Sequence, residues 1–498
     1  MTSPRTHRWS RLLRAAAATL AVTALLAACT EAEPAQEETY SAPVPDALER
    51  YYEQTAQWEP CEEDFECATV VVPLNYADPG SESIEIALMR HQALMPRGSL
   101  FVNPGGPGAS GIDLLRNAAT STFSPELREK YHLIGFDPRG VGDSEPIQCR
   151  TPAQLDASRA GNTLSMEELG ALCAEKNGEA LAHVDTESAA RDLDILRAAV
   201  GEERLDYLGF SYGTKLGAAY SDLFGENVDR MVLDGAMNPA LGLSQVTTGQ
   251  AQRFEQSLRT WVEWCDGVRD CPVSGGADAG LAQLNRYMDE LAAEPLQTQD
   301  GREFNDRELA NALLLPLYED AWWDTLVVAL QELEQGDPER LMQMADARSG
   351  RAADGTYLDN SWDAFTAINC LDYSDPTVDG AELDRLLSDI SPTLGWYLGG
   401  ELACTGWPAE PTGTEDPAEP LNANSRALVV GTTGDPATPY EWSQALADQL
   451  AGEDPSNVSL LTYDGEGHTA YGRSNDCVTQ AVDAFLLDGE FPASDATC

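Results

Sequence analysis

Three side chains in this sequence have the types and surroundings that acyl transfer requires: Ser211, His468 and Asp435. Ser211 lies in Gly209-Phe210-Ser211-Tyr212-Gly213. Before it, Leu205-Asp206-Tyr207-Leu208 reads as a short buried strand, and after it residues 214–220 read as a helix. Strand, Gly-x-Ser-x-Gly, helix is the nucleophile elbow, a turn so tight that the serine backbone is strained and its hydroxyl stands exposed. Glycine suits positions 209 and 213 because strand and helix pass too close there to admit a Cβ. The same turn leaves the N–H of Tyr212 at a helix N-terminus, where it can stabilise a developing oxyanion. The pentapeptide alone is a common pattern; its flanking elements make it specific.

A serine hydroxyl is a poor nucleophile until a base removes its proton, and neutral imidazole is the usual base near neutral pH. His91 and His132 lie in or beside predicted strands, and His183 leads into a predicted helix. His468 instead follows the last predicted strand, on the glycine-rich loop Asp464-Gly465-Glu466-Gly467-His468-Thr469. The carboxylate that orients it is expected at Asp435, in the loop after the penultimate strand, which gives the chain order Ser, Asp, His. Asp234 and Asp464 are rival carboxylates. A second oxyanion donor is expected from Gly105-Gly106-Pro107-Gly108, at the Gly106 N–H, since glycines let a backbone approach substrate closely. Residues 137–144 read as a structural turn bracing that loop, with Arg139 salt-bridged beneath it.

These loops need a sheet to gather them. Stretches 67–74, 83–90, 99–102, 131–136, 205–208, 230–234, 427–431 and 458–463 read as strands, most of the later ones alternating with helices. That rhythm predicts an α/β fold, a mostly parallel eight-stranded sheet covered on both faces. Residues 240–420 break the rhythm: they are helix-like, acidic and rich in tryptophan, and they read as an inserted cap over the sheet edge where such folds bind ligands. The expected organisation is a signal peptide over 1–28, an acidic tether over 29–57, a core domain over 58–239, the cap over 240–420 and the rest of the core over 421–498.

Arg5, Arg8, Arg11 and Arg14 precede the apolar run 15–28, the pattern of an export signal too short for a membrane span. It ends in Leu26-Ala27-Ala28-Cys29, which resembles a lipobox, so Cys29 is expected to be acylated and to anchor the protein to the outer face of the cytoplasmic membrane; simple secretion is the alternative. Beyond Cys29 the cysteines are even in number, and sequential neighbours suggest the disulfides Cys61–Cys67, Cys149–Cys173, Cys265–Cys271, Cys370–Cys404 and Cys477–Cys498. No CxxC pair or Cys/His cluster suggests a metal, and no cofactor is expected. The net charge is −52, and loss of residues 1–28 makes it −56, a field that repels nucleic acid and anionic lipid and fits either plain solubility or a salt-rich habitat. Peptides are the expected partners, the membrane is met only through the lipid anchor, and the oligomeric state is open.

The motifs Asn103-Pro104-Gly105-Gly106-Pro107-Gly108, Asp137-Pro138-Arg139-Gly140-Val141-Gly142-Asp143-Ser144, Gly209-Phe210-Ser211-Tyr212-Gly213-Thr214 and the Asp435 and His468 loops occur in one order. Together they resemble the secreted tripeptidyl-aminopeptidase-like α/β-hydrolases of actinobacteria, relatives of the prolyl iminopeptidases. The resemblance runs from about Trp58 to Cys498 and includes Ala367-Ile368-Asn369-Cys370-Leu371-Asp372 and Cys404-Thr405-Gly406-Trp407-Pro408. It implies a serine exopeptidase that releases short peptides, often tripeptides, with Ser211, Asp435 and His468 catalytic. Lys215 departs from the aromatic residue expected after Gly-Thr. Recognition of a protonated amine needs a carboxylate in the cap, for which Glu319, Asp320 and Asp372 are candidates. Trp322, Trp323 and Trp407 are available for apolar subsites or for cap packing. An esterase or lipase using the same triad, and a non-catalytic peptide-binding lipoprotein, are the competing readings.

Overall fold

The computed structural model describes residues 44–498 apart from 63, 375–379, 399–403 and 495; the expected signal peptide, Cys29 and the first part of the tether lie outside the described residues. The main sheet is built from β1 (Glu59–Glu62), β2 (Phe65–Pro73), β3 (Ser83–His91), β4 (Gly98–Asn103), β5 (Tyr131–Phe136), β6 (Leu205–Phe210) and β7 (Val228–Asp234). After an excursion that contains the short hairpin β8 (Leu296–Gln297) and β9 (Glu303–Phe304), it is completed by β10 (Arg426–Gly434) and β11 (Val458–Glu466). The strand order is β1-β2-β3-β5-β4-β6-β7-β10-β11. From β5 to β11 every pairing is parallel, while β1, β2 and β3 join antiparallel.

Two expectations need correction. The sheet has nine strands instead of eight. The extra one, β1, is exposed at all four residues, so it carries no apolar pattern to be read; it is held to β2 by the Cys61–Cys67 disulfide. The tether was also drawn too far. Glu49–Tyr52 form a helical turn, and buried Tyr51 donates through its hydroxyl to the Pro79 carbonyl at 2.9 Å, so the fold starts ahead of Trp58.

Alternate residues of a pleated strand face opposite sides, and β6 follows the rule. Leu205 and Tyr207 join one core, with Leu193 of helix Thr186–Ala199 and Leu216 of helix Tyr212–Phe224. Leu208 and Phe210 join the other, with Leu115 of helix Gly111–Thr122 and Val482 of helix Asp476–Asp488. Covered on both faces, the parallel strands present their C-terminal ends along one rim. The loops after β4, β6, β7, β10 and β11 leave that rim, and they carry every residue singled out for the catalytic chemistry.

The inserted segment is mainly helical, with its own core of Phe254, Trp261, Leu284, Leu313 and Leu330. It is not a wholly separate body: helix Ser361–Asp372 buries Ala364, Ala367, Ile368 and Leu371 in the hydrolase core. All five suggested disulfides are present. They belong to an oxidising compartment outside the cytosol. The last, Cys477–Cys498, pins the C-terminal residues along the outer side of β11, where Cys498 N–H donates to the Thr462 carbonyl at 2.8 Å.

Candidate active site

The elbow has the strain its sequence implies. Ser211 sits at φ 55°, ψ −122°, a conformation that non-glycine residues avoid, directly before helix Tyr212–Phe224. A Cβ on Gly209 would come within 2.4 Å of the Gly213 carbonyl, and one on Gly213 within 2.8 Å of Asn103 Oδ1, so both positions require glycine. The Tyr207 hydroxyl closes the turn by donating to the Gly213 carbonyl at 2.8 Å.

The loop after β4 lies against this turn. A Cβ on Gly105 would stand 2.9 Å from Ser211 Cβ and 3.0 Å from Tyr212 N. The Gly105 N–H is occupied by Asn103 Oδ1 at 2.9 Å. No acceptor holds the N–H of Gly106 or of Tyr212 among the described residues, which leaves those two donors free for an oxyanion. Asp137 braces the loop by accepting from Ser110 Oγ at 2.5 Å and from Asp143 N–H at 2.9 Å. Beneath it, fully buried Arg139 pairs with Asp192 at 2.6 Å.

His468 and Asp435 are brought together. Nδ1 of His468 lies 2.9 and 3.0 Å from the two Asp435 oxygens, and Asp435 also accepts from the N–H groups of Ala437, Thr438 and Thr469. Asp435 is fully buried; burial opposes its charge, but His468 and these donors outweigh that and hold the carboxyl below its usual range. An ionised acceptor at Nδ1 fixes the proton there and leaves Nε2 as the basic nitrogen. Nε2 has no protein partner among the described residues. The imidazole and the elbow both adjoin the end of β7: Ser211 N–H donates to the Asp234 carbonyl at 2.9 Å, and a Cβ on the next residue, Gly235, would be 3.4 Å from His468 Cε1.

The rival carboxylates do other work. Asp234 accepts from the N–H groups of Ala470 and Tyr471, bracing the histidine loop from below, and burial pushes it up to about 6. Asp464 accepts from Thr433 Oγ1 at 3.0 Å on the neighbouring strand.

Residues of the cap that no sequence signal marked touch His468 and Asp435. Tyr318, the last residue of helix Asp306–Tyr318, accepts the His468 N–H at 2.8 Å through its carbonyl, and its ring meets the imidazole edge-on at 5.4 Å. A Cβ on Gly467 would lie 2.9 Å from the same carbonyl, so glycine admits the contact. From helix Leu243–Asp266, Arg253 donates to the Asp435 carbonyl at 3.2 Å and Gln250 to the Ala437 carbonyl at 2.9 Å.

Of the amine-binding candidates, Glu319 and Asp320 are exposed and directly follow Tyr318. Asp372 requires correction: it is buried, accepts from the Thr186 N–H at 2.8 Å and pairs with Lys215 at 3.4 Å, so it is not open to a substrate. Trp407 packs against the hydrolase core, while Trp323 packs against Trp264 with ring centroids 5.2 Å apart and donates to the Pro316 carbonyl. Trp322 alone of the three is exposed.

Comparison with known proteins matches this arrangement to named relatives. Over 483 residues the chain is 33% identical to the serine protease Hip1 of Mycobacterium tuberculosis, covering 89% of this chain and 91% of that one. It is 35% identical over 504 residues to carboxylesterase B of the same species, covering 95% and 94%. Against the tripeptidyl aminopeptidase of Streptomyces lividans it is 30% identical over 478 residues, covering 89% and 86%. A family profile described as TAP-like protein matches residues 391–498. The chain belongs to the tripeptidyl-aminopeptidase-like α/β-hydrolases. It is a serine hydrolase of that family. The Lys215 ammonium packs against Asp372 and stands 3.8 Å from the centroid of Tyr373.

Proposed function

We propose that the protein is an exported serine aminopeptidase that releases tripeptides or other short peptides from free N-termini through an acyl-enzyme. The observation that carries the reading is the buried Asp435–His468 pair, with Nδ1 to Oδ1 at 2.9 Å, on the same sheet rim as the strained Ser211. In this scheme Ser211 Oγ attacks the scissile carbonyl carbon while its proton passes to His468 Nε2. The N–H groups of Tyr212 and Gly106 hold the oxyanion. Collapse of the tetrahedral intermediate breaks the C–N bond, and the imidazolium returns its proton to the leaving amine. Water then attacks the acyl-enzyme by the same route and frees Ser211.

A free N-terminus carries positive charge and calls for a carboxylate. Glu319 and Asp320 are the cap acids nearest in sequence to the Tyr318–His468 contact, which favours them for that role. The relatives named serine protease Hip1 and tripeptidyl aminopeptidase support the peptidase class. The relative named carboxylesterase B favours a second reading, an esterase that uses the same three residues. Leu-Ala-Ala-Cys at 26–29 supports anchoring through acylated Cys29.

Tripeptide anilides with free and acetylated N-termini, assayed beside short acyl esters, test the proposal. The free tripeptides are expected to be cleaved and the acetylated ones spared. Cleavage of esters alone removes the peptidase assignment. A fluorophosphonate probe is expected to label the wild type and not Ser211→Ala; an unlabelled but folded wild type would leave a peptide-binding lipoprotein without catalysis.

A further inference from the structure

With 83 acidic against 31 basic side chains, a half-buried cation in this protein should find a carboxylate. Structural arginines of the cap and its border do. Arg159 pairs with Glu308 and Asp346, Arg302 with Asp300 and Asp346, and Arg351 with Asp156. Among the described residues, the arginines whose side chains bond to no oxygen are Arg97, Arg269 and Arg286, which are exposed, and Arg307 and Arg348, which are half-buried. In both of the latter pair Nε is shut off from solvent without an acceptor.

Their surroundings are aromatic. The Arg348 guanidinium stands 5.3 Å from the ring centroid of Tyr318 and 6.0 Å from that of Trp362. Arg307 stands 5.3 Å from Tyr397 and 6.0 Å from Trp396, and shares the lining of a narrow cavity with Trp362. Stacking on a ring offsets part of the lost hydration but occupies only the face of the guanidinium; its N–H fork remains unfilled. Tyr318, under Arg348, meets His468 at 5.4 Å, so one ring separates the cation from the imidazole. Two such steps are spanned by about three extended residues, at roughly 3.5 Å each.

We propose that Arg348 and Arg307 form a carboxylate-binding subsite in the cap, which selects substrates bearing a carboxylate within about three residues of the scissile bond. A planar fork held on aromatic faces suits bidentate capture of a carboxylate. In a chain this acidic, whose field repels anions, such capture needs a local cationic site of this kind. The carboxylate belongs either to an acidic side chain or to the C-terminus of a short peptide. The proposal rests on Ser211 being the nucleophile of a hydrolase.

The test measures kcat/KM on peptide pairs that differ by Glu against Gln at each of the three residues before the cleaved bond. A second set compares free-acid with amidated C-termini. A preference in the first set assigns the carboxylate to a side chain, and one in the second assigns it to the C-terminus. The expected preference is about 10- to 100-fold, the size of a hydrogen-bonded charge. Arg348→Gln and Arg307→Gln should each remove most of it, bringing the charged and neutral partners of a pair to within about twofold of one another. Arg348→Lys, which keeps the charge and loses the fork, should fall between. The comparison is repeated with the p-nitrophenyl monoester of suberic acid, whose chain is long enough to span that distance, against p-nitrophenyl octanoate. Should only esters be cleaved, the peptidase reading fails and the carboxylate preference is still measured. Absence of any preference in the wild type, on peptides and on esters, overturns the proposal, as does a preference that survives both Gln variants. Because the wild-type pairs decide the first point alone, a variant that misfolds does not shelter the idea.

Discussion

Ser211 and His468 stand on one rim, but they are held there by different parts of the molecule. The serine is fixed from within the hydrolase sheet: Gly209 and Gly213 bring strand and helix into contact, Tyr207 closes the turn, and Gly105 lies over it. The histidine is fixed partly from outside. Its N–H goes to the Tyr318 carbonyl, its ring rests on Tyr318, and its carboxylate partner sits on a loop that Arg253 and Gln250 hold from above. Ser211, the proposed nucleophile, is therefore positioned by the core alone, whereas the proposed acid–base pair is held by core and cap together. A cap attached in this way cannot swing clear of the rim without releasing His468.

Substitutions on the two sides should fail differently. The largest effect is expected from Asp435→Asn, which keeps the packing but offers the wrong hydrogen-bond partner to Nδ1; kcat should drop by about 10⁴. Gly105→Ala attacks the nucleophile side, since its Cβ would lie 2.5 Å from the Phe210 carbonyl and φ is +93°. It should cost about 10² to 10³ in kcat, comparable to the loss of an oxyanion donor, and leave the shape of the pH–rate profile unchanged. Tyr318→Ala attacks the base side. It keeps the carbonyl, removes the ring and should lower kcat about tenfold. Tyr318→Phe should behave as wild type. An unchanged kcat in Tyr318→Ala would erase the distinction between the two sides.

The smallest effect concerns Asp234, which braces the histidine loop. Burial raises it to about 6, against about 3.9 for an unfolded aspartate. Its protonated form thus favours the folded state: that contribution is complete below about pH 3.9 and is lost as pH rises through about 6. Melting curves from about pH 4 to pH 8 should show a decline in wild type that is smaller by a few degrees in Tm in Asp234→Asn, where Asp206 and Asp222, raised to about 7 and about 6, still contribute. Asp435 carries the opposite sign, since its pKa is lowered: its contribution is present above the unfolded value and fades in acid.

The same division explains what the sequence discloses. The elbow is legible because its demands are local, two glycines and a serine between a strand and a helix. Asp435 and His468 are legible because each ends a recognisable strand in a fixed order. The contacts of Tyr318 with His468 and of Arg253 with Asp435 use backbone carbonyls, which every residue possesses, so residue type carries no trace of them. Strand β1 is missed because four exposed residues have no apolar alternation to display. Asp372 is misread for a related reason: a cap carboxylate looks open to a substrate amine until its partner Lys215, on the elbow helix, is seen beside it.

The crosslinks at the two margins of the sheet have a consequence of their own. At one end Cys61–Cys67 ties β1 onto β2, and at the other Cys477–Cys498 ties the chain terminus along β11. An unguarded outermost strand invites a second molecule to add to the array, and aggregation follows. Here thiol oxidation holds a short four-residue strand over β2 and the chain terminus over β11, so a reductant should loosen the cover on both of these longer strands.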